Sequence, residues 1–153
     1  MKLKSILYLM LGFLLPLSFA SCDDDDEPAT HTDASTLVDG TFYGTMYDAD
    51  GNEKATDVVV TVSKFEAENT QAVTVQIVSA SLNMDNKDVF NVAKAGDNRY
   101  TFFNASAGVA RNTGGVVEGN TITIYTSLSS KYKFNATSSA KRYTIKCTKA
   151  VSE

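Results

Sequence analysis

Few residues in this 153-residue chain carry the chemistry of a nucleophile, a metal ligand or a proton shuttle, and their spacing keeps them apart. The one histidine is His31, and the two cysteines are Cys22 and Cys147. His31 sits between Thr30 and Thr32, in a stretch with no large apolar residue, so no Ser-His-Asp or Cys-His arrangement reaches a folded body. One imidazole and scattered thiols cannot make a structural zinc site either. The body's carboxylates Asp57, Glu66, Glu68, Asp85, Asp88, Asp97 and Glu118 nearly all fall in turns or at strand ends. Solvation explains them there better than a paired acid and base across a glycosidic bond. Asp48-Ala49-Asp50-Gly51-Asn52-Glu53 starts like a calcium loop, but its glycine is fourth and Val59 stands at the twelfth position, so it reads as a hairpin turn. The inventory predicts no enzyme, no cofactor and no metal, and it points to no particular ligand-binding residue.

Cys22 is the exception. Lys2 and Lys4 give a positive start, residues 6–15 are an almost unbroken apolar run, and residues 16–21 turn to smaller side chains. That order is the pattern of a secretory signal peptide. The run is too short for a stable transmembrane helix, which needs about 20 residues. It ends in Phe19-Ala20-Ser21-Cys22, where two small residues before a cysteine let a lipoprotein peptidase cut once the thiol carries a diacylglyceryl group; Phe19 replaces the usual Leu. Acyl chains on Cys22 would hold the protein on a membrane at about 0.8 kcal/mol per buried methylene. Asp23, Asp24, Asp25, Asp26 and Glu27 follow directly. Five adjacent carboxylates repel one another, which predicts an extended, disordered tether running to Thr36.

Three segments result: a leader over 1–21, a lipidated acidic linker over 22–36 and a folded domain over 37–153. Setting aside Lys2, Lys4 and the five acids takes the chain's 14 basic and 18 acidic residues to 12 and 13. A near-neutral body with no basic stripe argues against a nucleic-acid partner. Lipidation also leaves Cys147 without a disulfide partner. It shares an alternating face with Tyr143 and Ile145, which predicts a buried, inert thiol.

From residue 37 onward the periodicity is two. Val58, Val60 and Val62 alternate with Val59, Thr61 and Ser63; Ile122 and Ile124 alternate with Thr121, Thr123 and Tyr125. Such alternation marks half-buried antiparallel strands. Turn residues at 48–52, 68–69, 96–98 and 118–120 separate the runs. Strands are predicted near 40–48, 55–65, 72–80, 88–94, 99–105, 108–118, 121–128, 131–137 and 141–149. Regular short strands joined by hairpins predict an all-β, antiparallel up-and-down barrel of about eight strands, with a β-sandwich as the alternative. Adjacent aromatics such as Phe42-Tyr43 and Phe102-Phe103 must face opposite sides of a strand, which leaves one of each pair outside the core or at a barrel mouth.

The opening Gly40-Thr41-Phe42-Tyr43-Gly44-Thr45-Met46, the Tyr100-Thr101-Phe102 strand, the Gly119-Asn120 hairpin and the terminal Tyr143-Thr144-Ile145-Lys146-Cys147-Thr148 strand resemble the calycin-like, lipocalin-resembling domain of Bacteroidota lipoproteins. The likeness covers roughly residues 37–150. Calycins usually open with Gly-x-Trp packed against a basic residue of the last strand. Here Phe42 replaces Trp, and Arg142 is the candidate partner. The cysteine followed by an acidic run is similar to surface-exposed lipoproteins of the same group, in which Asp23 to Glu27 would act as the export signal. The resemblance implies an outer-membrane lipoprotein facing the cell exterior, the periplasmic face being the alternative. Lipocalin-type ligand binding is not carried over, since the chain has no tryptophan; the aromatics left outside the core and the missing catalytic groups instead predict a non-catalytic binding module for a small molecule, glycan or peptide. The other expectation is a structural or interaction subunit of an outer-membrane complex with no ligand of its own.

Overall fold

The computed structural model describes residues 33–66, 71–104 and 110–151. The leader, Cys22, the export signal Asp23 to Glu27, His31 and the turn at 68–69 lie outside the described residues.

Eight strands close into one antiparallel barrel in sequence order, each hydrogen-bonded to the next and β8 returning to β1. They are β1 (Gly40–Asp48), β2 (Glu53–Lys64), β3 (Ala72–Ser79), β4 (Met84–Gly96), β5 (Arg99–Asn104), β6 (Gly114–Glu118), β7 (Thr121–Leu128) and β8 (Lys141–Lys149). This is the up-and-down barrel, and the sandwich is set aside. It is compatible with a calycin-like fold.

The period-two pattern determines what fills it. Phe42, Met46, Val60, Val73, Val75, Ile77, Phe90, Ile122, Ile124 and Ile145 are each at most 1% exposed and converge on the interior. Burying such a side chain contributes about 1.5–3 kcal/mol, so this barrel is held by a packed centre. Phe90 and Phe102 meet edge to face at 5.6 Å. Two glycines permit the closure. A Cβ at Gly44 would collide with the Lys146 carbonyl oxygen, so glycine lets β1 approach β8, and a bulge follows between Gly44 and Met46. A Cβ at Gly115 would strike the Phe102 ring, which uses that space.

The expected tether does not run to Thr36: a short helix, α1 (Ala34–Leu37), with Ala34 and Ser35 buried, covers the end where β1 begins. Asp33 caps it by accepting the Ser35 N–H at 3.0 Å and pairs with Lys64 at 3.3 Å, while Ala34 and Val38 join the core. Beside it, Lys149 Nζ stands 5.9 Å from the centre of the Phe42 ring and donates to the Asp39 carbonyl at 2.6 Å. The basic residue from the last strand is therefore Lys149 and not Arg142. The register of β8 on β1 pairs Phe42 with Lys149, which puts Arg142 at the opposite end of the barrel.

That opposite end is covered by loops. Residues 131–137 do not form the predicted strand. Ser129 gathers the segment into a turn, its carbonyl accepting the Tyr132 N–H at 3.0 Å and its hydroxyl the N–H groups of Lys131 and Lys133, and a single bridge joins Leu128 to Phe134. The apolar alternation of Tyr132 and Phe134 instead turns both rings down onto the barrel mouth, where Phe134 is buried. Buried Asn86 holds the loop, donating from Nδ2 to the Tyr132 carbonyl at 2.8 Å and accepting the Phe134 N–H at 3.2 Å. The strand predicted over 108–118 starts only at Gly114. Residues 110–112 form a turn before it, tied down by a 2.7 Å bond between the buried Thr113 and Thr126 hydroxyls.

Candidate functional site

Three adjoining concavities among the described residues lie on the outside of this loop-covered rim, around the turn between β1 and β2. One cleft of about 630 Å³ is lined by Ala49, Asn112, Tyr125, Thr126, Arg142 and Thr144, among others. A second, of about 440 Å³, shares Ala49, Arg142 and Tyr143 with it and adds Asp48, Lys54 and Tyr132. A third, of about 400 Å³, runs beneath the same turn between Tyr47, Thr144 and Lys146.

Local sequence explains why the turn projects. Asp48 Oδ1 accepts the N–H groups of Asp50 and Asn52 at 3.0 and 2.9 Å, and Oδ2 meets Lys54 Nζ at 3.0 Å. This is an Asx turn with an ion pair across its base. The Lys54 ammonium, helped by the Asn52 N–H, holds the Asp48 carboxyl down at about 2. Asp48 in turn raises the Lys54 pKa. The turn is thus an overhang whose carboxylate is already engaged.

Strand register supplies the walls. Thr144 on β8 stands opposite Tyr125 on β7 and opposite Tyr47 on β1, so two tyrosines flank one small residue on the outer face. Tyr125 is 57% exposed. Arg142 and Lys146 project from the same face of β8 on either side of Thr144, and Lys146 Nζ lies 5.8 Å from the centre of the Tyr47 ring. Tyr143 points the other way and packs its ring against Tyr132 at 5.9 Å; burial pushes its phenol pKa upward.

Other chemical groups are accounted for by structure. Asp57 accepts the Ser81 hydroxyl, the Ser81 N–H and the Ser79 hydroxyl at 2.6–2.8 Å, which depresses its pKa and shapes the β3–β4 connection. Burial pushes the Cys147 thiol up to about 12, and it is a free, buried thiol. A thiol held protonated there is a packing group rather than a nucleophile. Among the described residues, no three His, Cys, Asp or Glu side chains come together.

Sequence reasoning left the ligand-binding residues open, and the tertiary structure brings Tyr47, Tyr125, Arg142 and Thr144 together at the overhang. The two-residue period put Tyr125 on the outward face of its strand, but nothing local brought it beside Tyr47 and the β1–β2 turn. Alongside this geometry, comparison with protein-family models, curated proteins and solved structures returns no match in any of the three.

Proposed function

We propose that this chain is a lipid-anchored outer-membrane lipoprotein of the Bacteroidota calycin-like type, facing the cell exterior, whose barrel is a non-catalytic binding module that takes its ligand on the outer rim. Cys22 carries the anchor, and Asp23 to Glu27 direct export. The observation that carries the rim reading is the contrast between an interior filled by Phe42, Met46, Phe90 and the isoleucines and the clefts beneath the 48–52 turn. A lipocalin-style ligand would need the space those side chains occupy, whereas the rim offers concave volume in the range used by small-molecule sites. The Thr144 hydroxyl, the Asn112 amide and the Arg142 guanidinium suit a polar ligand.

The filled interior also favours a second reading, an interaction subunit with no ligand of its own. Native mass spectrometry of the full mature protein from its own host separates the two: a co-purifying small molecule, glycan or peptide supports the first, and stoichiometric co-purification of an outer-membrane protein alone supports the second. The anchor is tested by Cys22→Ala, which should release the protein from membranes, and the address by protease added to intact cells, which should digest the domain. A membrane-bound variant or a protected domain would remove the corresponding part of the proposal.

A further inference from the structure

Resting on the rim-binding reading, we infer that the two adjoining clefts that meet at Ala49 and Thr144, one walled by Tyr125 and Arg142 and the other by Tyr47 and Lys146, together take a carboxylated sugar, such as a uronate residue of an acidic glycan. Thr144 separates the two tyrosines, which stand two strands apart, about 10 Å at the usual strand spacing. That gap is wide enough for a sugar ring, and the turn at Ala49 and Gly51 overhangs it. The exposed face of Tyr125 offers a flat apolar platform against which the C–H face of a pyranose packs at low entropic cost. The Thr144 hydroxyl and the exposed Asn112 amide are placed along the same cleft for the sugar's own hydroxyls.

Charge selects the acidic member of that class. Arg142 and Lys146 bracket Thr144 from above and below, and neither forms an ion pair among the described residues. The outward positions of β7 are Thr121, Thr123 and Tyr125, and those of β8 carry no carboxylate. Asp48 is already neutralised by Lys54, and Asp50 at the tip of the turn shares the second cleft with both Arg142 and Lys141, which leaves the basic side chains in excess there. Glu53 opposite Tyr47 ends the favourable field on the β2 side, so the sugar's carboxylate belongs on the Arg142–Lys146 side. A guanidinium matches a carboxylate with paired N–H donors, which an ammonium cannot do alone.

The test titrates the full mature protein in detergent with mannuronate oligosaccharides, with neutral gluco-oligosaccharides of equal length and with oligoglutamate. Wild type should bind the uronates at least tenfold more tightly than either comparator, with affinity falling as salt rises. Arg142→Gln combined with Lys146→Gln should reduce uronate binding to the neutral level, and Tyr125→Ala should weaken it about tenfold. These side chains are exposed, so unchanged melting curves are the folding control, and Phe103→Ala on β5, with β6 between it and β7, should bind as wild type does. Equal binding of uronate and neutral sugars would overturn the charge assignment while leaving glycan binding intact. Equal binding of oligoglutamate would transfer the site to acidic peptides. Full uronate affinity in the double variant would overturn the inference. Binding of none of the three, with a different ligand recovered by native mass spectrometry, would overturn it while sparing the rim reading.

Discussion

The two ends of this barrel are built from the same alternating strands, yet they are finished differently. At the end where β1 begins, one turn of helix, the Asp33 cap and Lys149 over Phe42 form a compact closure tied to the core. At the other end, the loops at 110–113 and 129–140 lie over the mouth, and the β1–β2 turn stands proud of it, leaving clefts on the flank. Loops tolerate irregular backbone and surface polar groups, so they can create concavity that the strands, committed to a packed interior, cannot. One end is sealed by residues tied to the core, and the other, though also anchored by Asn86 and Phe134, leaves concave surface exposed.

Separate substitutions can break or sharpen that division. The largest effect is expected from Phe42→Ala, which empties the centre of the closed end and should cost about 3–5 kcal/mol in denaturant unfolding. Uronate binding measured well below the new midpoint should be unchanged; a large loss would show that the ends are coupled. Asn86→Ala attacks the loop end. It strands the buried Phe134 N–H and the Tyr132 carbonyl, which should cost roughly 2–3 kcal/mol and speed amide exchange across 129–140. Lys149→Met keeps the stem over Phe42 but removes the charge, for an expected loss of about 0.5–1 kcal/mol, and a null result would make the cation a bystander.

The smallest effect belongs to pH. The Asp48 carboxyl is depressed from 3.8 to about 2 in the folded chain, so its contribution is complete above pH 4 and is lost as pH falls through about 2. A carboxyl NMR titration should show Asp48 ionised at pH 3 in wild type and shifted toward the ordinary range in Lys54→Met.

Much of the fold was legible before the structure. Val58, Val60 and Val62 could face only one side of a strand, and Asp48 to Asn52 or Gly96 to Asn98 could hardly do other than turn. The burial of Cys147 and the splitting of Phe42 from Tyr43 and Phe102 from Phe103 follow from the same two-residue period, and the structure has Phe42 and Phe102 inside with Tyr43 and Phe103 about half exposed. The misread segment, 131–137, shows the limit of that signal. Tyr132 and Phe134 alternate as a strand would, yet here the alternation serves a loop folded onto the mouth by Ser129 and Asn86.

What the sequence determined by itself was therefore the residue chemistry and the local period: an isolated cysteine after a signal-like leader, an acidic run, a body without histidine, and strands with one apolar face. The tertiary structure decided which distant residues meet. Only the closure of β8 on β1 places Lys149 rather than Arg142 over Phe42, and only that same register puts Tyr125, Thr144 and Tyr47 in one row beneath the turn. Period comes from bonds between neighbours along the chain, and register comes from packing between strands about a hundred residues apart. The second cannot be read from the first.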